Sequence, residues 1–190
     1  MQGNIIQILK ETIEHRNKML NDTVLLKNIE NIAQILIQTF RQNKKVLFCG
    51  NGGSAADAQH LAAEFSNKFM KDRKPLDAEA LHVNTSYLTA VANDYSFRDV
   101  YARLIEARGL EKDVLIALST SGNSENIVEA VKMARQKNMI VVGWTGQNLG
   151  NMDKYCDILI KVPSDNIARI QEMHITIGHI ICQLVEAELF

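Results

Sequence analysis

Lys45 to Glu64 read KVLFC, GNGGS, AADAQHLAAE. The apolar run Val46-Leu47-Phe48-Cys49 has the character of a buried strand. Gly50, Gly52 and Gly53 break it, and a helical pattern follows with Ser54 placed to cap that helix. Glycines let a backbone approach a ligand closely, and a helix N-terminus offers unpaired N–H groups with partial positive charge. The loop is therefore expected to hold an anion, a phosphate above all. His60 and Glu64 stand four residues apart, so they share one face of the helix. Phosphate loop and His/Glu pair belong to one strand-loop-helix unit.

That unit recurs. Val114 to Leu118 is a second apolar run, followed by Ser119-Thr120-Ser121-Gly122-Asn123-Ser124 and a helical pattern to about Asn138. A cluster of hydroxyls after a buried strand makes a second anion loop. Around these units, strands are expected at 45–49, 78–83, 113–118, 139–145 and 158–162. Helices are expected at 54–71, 86–91, 97–107, 124–138 and from 166 to the end, with a short turn near 150–155. Strands alternating with helices indicate an α/β sandwich around a parallel sheet. In such a sheet the loops after the strands gather at its carboxyl edge.

The 190 residues fit one domain with a full core. A net charge of −1 with no basic cluster gives no nucleic-acid surface. No apolar run approaches the roughly 18–20 residues needed to cross a membrane, and the charged, amphipathic N-terminus is no signal peptide. Cys49, Cys156 and Cys182 are odd in number and lack metal spacing, as expected of free thiols in a reducing cytoplasm. Ahead of the first strand, 4–20 and 24–43 read as amphipathic helices. Ile5, Ile6, Leu9 and Ile13 mark one apolar face; Ile29, Ile32, Ile35, Leu36 and Phe40 mark the other. Two helices outside the minimal core need a partner for those faces, either the core or another subunit, and a subunit interface is the expectation.

Several motifs have competing readings. Gly50-x-Gly52-x-x-Ala55 formally fits a dinucleotide fingerprint, but the second strand ends His82-Val83-Asn84-Thr85 without the acid that would bind a ribose. Two polar loops better suit one phosphate held from two sides. His60 and Glu64 also fit an ordinary surface pair. Against that, the last helix carries Gln171 and His179, two turns apart and within about 80° around its axis. The four groups meet if this helix crosses the mouth of the sheet, and two imidazoles with a carboxylate suit a divalent metal such as zinc. His174 reads as packing or support. Asn93-Asp94 reads as loop chemistry between short helices. His82 and His15 read as structural or exposed, and Met133, Met139, Met152, Met173 and Trp144 as packing.

Taken together, Asn51-Gly-Gly-Ser54, His60 with Glu64, Asn93-Asp94, Ser119-Thr-Ser-Gly-Asn-Ser124, and Arg169-Ile-Gln171-Glu-Met-His174 with His179 resemble the phosphoheptose isomerase family, built on the sugar isomerase (SIS) domain. The resemblance covers nearly the whole chain, 1–190, as one SIS domain. It implies a flavodoxin-like five-stranded parallel sheet, a homotetramer with the helical pair 1–43 at the interface, and one zinc ion per subunit. By matched position it implies His60, Glu64, Gln171 and His179 as metal ligands. It implies substrate contacts from Asn51, Gly52, Gly53, Ser54, Glu64, Asn93, Asp94, Ser119, Thr120, Ser121, Ser124 and Gln171. Ser66-Asn67-Lys68 departs from the Gly-Arg pair that many relatives carry. The implied activity is isomerisation of sedoheptulose 7-phosphate to D-glycero-D-manno-heptose 7-phosphate, toward heptose units of bacterial surface polysaccharide. Glu64 would be the base, and His179 would exchange protons with substrate oxygens. A rival reading is a non-catalytic SIS-fold regulator that binds a replication initiator; such a relative lacks counterparts of Glu64 and His179, and this chain has both.

Overall fold

Five strands, β1 (Val46–Cys49), β2 (Ala78–Ala80), β3 (Val114–Leu118), β4 (Ile140–Thr145) and β5 (Ile158–Lys161), make one sheet in the order β2-β1-β3-β4-β5. Every pairing is parallel in the computed structural model, which describes residues 1–190. Phe48 sits level with Ala80 on one side and Ile116 on the other. Ile116 is in turn level with Val142. Side chains alternate across a strand, so Val46, Phe48, Ile116 and Trp144 point to one face while Leu47, Cys49, Leu115 and Val141 point to the other. Helices cover both faces, which is why β1 and β3 are buried along their whole length and read as unbroken apolar runs.

On the first face lie α2 (Thr23–Arg41), α3 (Gly53–Ser66) and α7 (Ile167–Leu189). On the second lie α4 (Thr85–Asp94), α5 (Val100–Arg108) and α6 (Glu125–Gln136). Short 3-10 turns at Phe97–Asp99 and Asp153–Tyr155 complete the connections. No helix is long and apolar enough to cross a membrane.

The helical pair at the front divides. Asp22 caps α2 by accepting from the Leu25 N–H at 2.9 Å. The apolar face of α2, including Ile29, Ile32, Leu36 and Phe40, packs into the core, so that face finds its partner within the chain. It fills the space over β5 and α7 that five strands leave open. α1 (Gln2–Asn21) behaves differently. Met19 is its sole buried residue, and Ile5, Ile6, Leu9 and Ile13 are all about half exposed or more. Other differences are local. The helix expected over 54–71 stops at Ser66, because Arg73 gathers the carbonyls of Glu64, Phe65 and Asn67 and turns the chain. Asn93 and Asp94 end α4 and are not in a loop, since Asn84 caps the helix early and carries it to residue 94.

Candidate active site

The chain runs from β1 outward to β2 and, on the other side, to β3. Their carboxyl ends therefore flank the point where strand order reverses, the place in open α/β sheets where connecting loops leave a crevice. Gly52 lies at φ +55°, ψ −122°, a conformation that essentially only glycine adopts, and it is the N-cap of α3. Its carbonyl accepts from the N–H groups of Ala55 and Ala56. The expectation that Ser54 caps this helix is therefore corrected. Ser54 is already inside the first turn, buried, and no side chain caps the helix. A sharp turn that demands glycine displaces the hydroxyl from the cap position. Gly53 comes so close to α7 that a Cβ there would stand 2.5 Å from the Gln171 carboxamide. Behind the loop, the Tyr101 hydroxyl donates to the Gly50 carbonyl, and Asn51 exchanges paired amide hydrogen bonds of 2.8 and 2.9 Å with buried Asn126.

The second loop folds on itself. The Ser119 hydroxyl lies 3.2 Å from that of Ser124, and the Gly122 N–H donates to the Ser119 carbonyl. Ser124 begins α6 without a side-chain cap, its hydroxyl engaged with Ser119. Ser121 instead accepts from the Asn123 N–H at 3.1 Å. Between the two loops and α7 is a cavity of about 260 Å³ lined by Asn51, Gly52, Gly53, Ser54, Ser119, Thr120, Ser124 and Gln171, with Leu118 and Ile167. A second hollow of about 290 Å³ continues past Thr120 and Ile167 to Ser121, Asn123 and Ser164. A larger groove of about 590 Å³ lies at the opposite, amino-terminal edge along α2, lined by Asn31, Gln34, Gln38, Gln42 and Lys112. It has no convergent acid, base or nucleophile, so size does not locate the chemistry here.

Further along α3, His60 and Glu64 face His179 of α7. The His60 Nε2 is 2.9 Å from the His179 Nε2 and 3.3 Å from a Glu64 carboxylate oxygen. One ligand atom from each lies within 4.8 Å of the others. The rings meet edge to face, with centroids 5.1 Å apart. His60 is exposed, and Glu64 and His179 are half buried. Two imidazole nitrogens and a carboxylate oxygen converging on one point form a donor set that fits zinc. The structure thus unites three of the four expected metal-binding residues; Gln171 sits instead against Gly53, where the cluster side of α7 meets the phosphate-type cavity.

Asp57, unmarked in the sequence reading, lies on α3 one turn before His60. Burial pushes its carboxyl up to about 6, with His60 opposing, and one oxygen is enclosed without a partner. The signal was there, since 57 and 64 are two turns apart on one helix, but an acid amid alanines reads as ordinary surface. Asn126 and Tyr101 were also missed; each supports a loop through a contact distant in sequence. Asn93 and Asp94 do not line the cavity. Both are exposed at the end of α4, Asn93 donating to Asp94 at 2.8 Å. His174 is fully buried, edge-on to Trp144 and 3.2 Å from the Thr145 carbonyl, as a packing residue should be. His15 meets the Glu11 carbonyl on its own helix at 2.8 Å, and His82 has a buried ring nitrogen without a partner. All three cysteines are free thiols.

A family model described as SIS domain matches residues 9–146. A phosphoheptose isomerase from Clostridium acetobutylicum is 52% identical over 190 residues, covering 100% of this chain and 97% of that protein. A solved phosphoheptose isomerase from Francisella tularensis superposes with a TM-score of 0.94 at 36% identity, covering 98% of both chains. One from Neisseria gonorrhoeae gives 0.90 at 39% identity, again over 98% of both.

Proposed function

The chain belongs to the phosphoheptose isomerases of the SIS-domain family, and from that premise we propose that it converts sedoheptulose 7-phosphate to D-glycero-D-manno-heptose 7-phosphate. The observation that carries this reading is the convergence of His60, Glu64 and His179 beside a cavity walled by two anion-type loops. The phosphate is held by the N–H groups at the start of α3 and by the hydroxyls of Ser119, Thr120, Ser121 and Ser124. Asn51, Gly52, Gly53, Ser54 and Gln171 complete that grip. This remote binding energy aligns the reacting carbons.

Aldose–ketose isomerisation moves one proton from C1 to C2 through an enediol. The Glu64 carboxylate removes the C1 proton of the ketose and returns it to C2 on the same face. His179 gives a proton to the C2 oxygen as the enediol forms and takes one from the C1 oxygen as the aldehyde forms, so charge balances across both steps. His60, Glu64 and His179 would hold zinc. Bound there, zinc would supply Lewis-acid polarisation of the two substrate oxygens. In this reading residues 1–190 act as one SIS domain in the cytoplasm, and the exposed apolar stripe of α1 supports assembly into a homo-oligomer, a tetramer by analogy with the family. The product feeds heptose synthesis for surface polysaccharide. The regulator reading gains nothing: a protein that only binds another needs no base facing an imidazole, and the relatives are named as isomerases.

The test is to incubate the protein with sedoheptulose 7-phosphate and follow the aldose by NMR, with and without a chelator. Turnover is expected in the wild type and a loss of about a hundredfold or more in Glu64→Gln. Near wild-type turnover in Glu64→Gln would remove the assigned base. A chelator-sensitive rate assigns the metal to the working enzyme.

A further inference from the structure

Behind the His60–Glu64–His179 cluster is a buried ion pair whose role the isomerase reading leaves open. Arg73 and Glu186 meet at 2.8 Å with side chains only 2% and 3% exposed. Glu186 lies on α7, two turns beyond His179. Its carboxylate accepts from the backbone N–H groups of Phe69, Met70 and Lys71 at 3.0, 2.7 and 2.9 Å. Arg73 turns most of its remaining N–H groups to the end of α3, with one further bond to the Lys74 carbonyl at 3.1 Å. It donates to the carbonyl of Glu64 at 2.8 Å, of Phe65 at 2.9 Å and of Asn67 at 3.2 Å.

Two consequences follow for the cluster. The last carbonyls of a helix lack intrahelical partners and a helix end frays when they stay so. Here the frayed turn would be the one that carries Glu64, and Arg73 grips the carbonyl of Glu64 itself. The same clamp fixes the backbone of Phe69, whose ring lies 5.7 Å from the His179 ring at an interplanar angle of 31°. The same imidazole meets the His60 ring edge to face. His179 thus touches both a clamped phenyl ring and the partner it converges on.

The geometry points to Arg73, Glu186 and Phe69 as positioning residues. The ion pair sets Glu64 through the end of α3, and Phe69 sets the orientation of His179. None of them needs to touch substrate. A free loop at 67–74 would leave both functional side chains able to rotate, and a displacement of about 1 Å can cost about a hundredfold in rate.

The test compares wild type, Phe69→Leu, Phe69→Tyr and Arg73→Lys in steady-state kinetics on sedoheptulose 7-phosphate and in titration of the stripped protein with Zn²⁺ alone. Phe69→Leu is expected to lower kcat by about tenfold and to weaken Zn²⁺ binding by about tenfold, with KM within about twofold of wild type. Phe69→Tyr keeps the ring and should stay within about twofold of wild type in every reading. Arg73→Lys cannot span the carboxylate and three carbonyls and should show the same split as Phe69→Leu. Wild-type kcat and Zn²⁺ affinity in Phe69→Leu would overturn the proposal, as would equal losses in Phe69→Leu and Phe69→Tyr. The proposal rests on the isomerase reading. A wild-type protein that binds Zn²⁺ but never turns the sugar over refutes that reading, and the Zn²⁺ titrations then decide the clamp by themselves.

Discussion

Gly53 shows how little room the site leaves at single residues. A methyl group there would stand 2.5 to 2.7 Å from three atoms of the Gln171 carboxamide. Gln171 would have to swing out of the cavity it helps to line, or α3 would have to draw its N-terminus away from α7. Gly53→Ala is therefore expected to lower kcat/KM by about tenfold or more, mainly through KM, with folding cooperativity kept; steady-state kinetics beside a urea melt would check it. Gly52 is constrained for another reason. Nothing lies within 4 Å of a Cβ at that position, but its positive φ belongs to glycine. Neighbouring glycines in one motif thus answer to different forces, steric approach at one and backbone conformation at the other.

At the scale of elements, α7 integrates the molecule. It carries Gln171 at the cavity, His174 in the core, His179 at the cluster and Glu186 at the loop clamp. Asn166 caps its start, accepting from the Ala168 N–H at 3.0 Å. Burial holds the His174 imidazole down at about 4, only partly opposed by its hydrogen bond to the Thr145 carbonyl. The folded form therefore resists a proton that the unfolded chain accepts near its ordinary value of 6.5. As pH falls from about 6.5 toward 4 the unfolded state binds more protons, so stability must fall through that window. The loss attributable to His174 is about 2–3 kcal/mol at pH 4.5 relative to pH 7. Denaturant melts at the two pH values should show it. His174→Gln, which keeps a donor for Thr145, should flatten the difference by that amount.

For the whole molecule, the question is what covers α1. Arg169 of α7 pairs with Glu172 at 2.8 Å and also donates to the Thr12 hydroxyl, which ties α1 to the body of the protein. Its outer stripe of Ile5, Ile6, Leu9 and Ile13 remains in water. An apolar stripe of that length is the surface on which the proposed assembly is to be tested. Replacing Ile5, Leu9 and Ile13 together by Glu is expected to shift the protein to smaller species, with little change in the fold because none of the three is buried. Light scattering on a sizing column decides it, and a wild type already eluting at 21.3 kDa would count against assembly.

The order of strands and helices, the two polar loops at one edge of the sheet, and the His60/Glu64 pair were legible in the sequence. The reason is physical: unbroken apolar runs, glycine clusters and four-residue spacing are local patterns that local geometry obeys. The motifs also pointed to the family before any fold was built. What the chain order could not express was where distant groups meet. Both leading helices show helical apolar spacing, α2 the more apolar of the two, and packing decided that α2 belongs to the core while α1 stays bare. Only the crossing of α3 and α7 decided that His179 meets His60 and Glu64 while Gln171 turns to Gly53. Ser54 lost its cap to Gly52 because a backbone angle, invisible in residue types, outranked a hydroxyl. Arg73 and Glu186, 113 positions apart, found each other in the interior, where a buried charge persists only if folding supplies its partner.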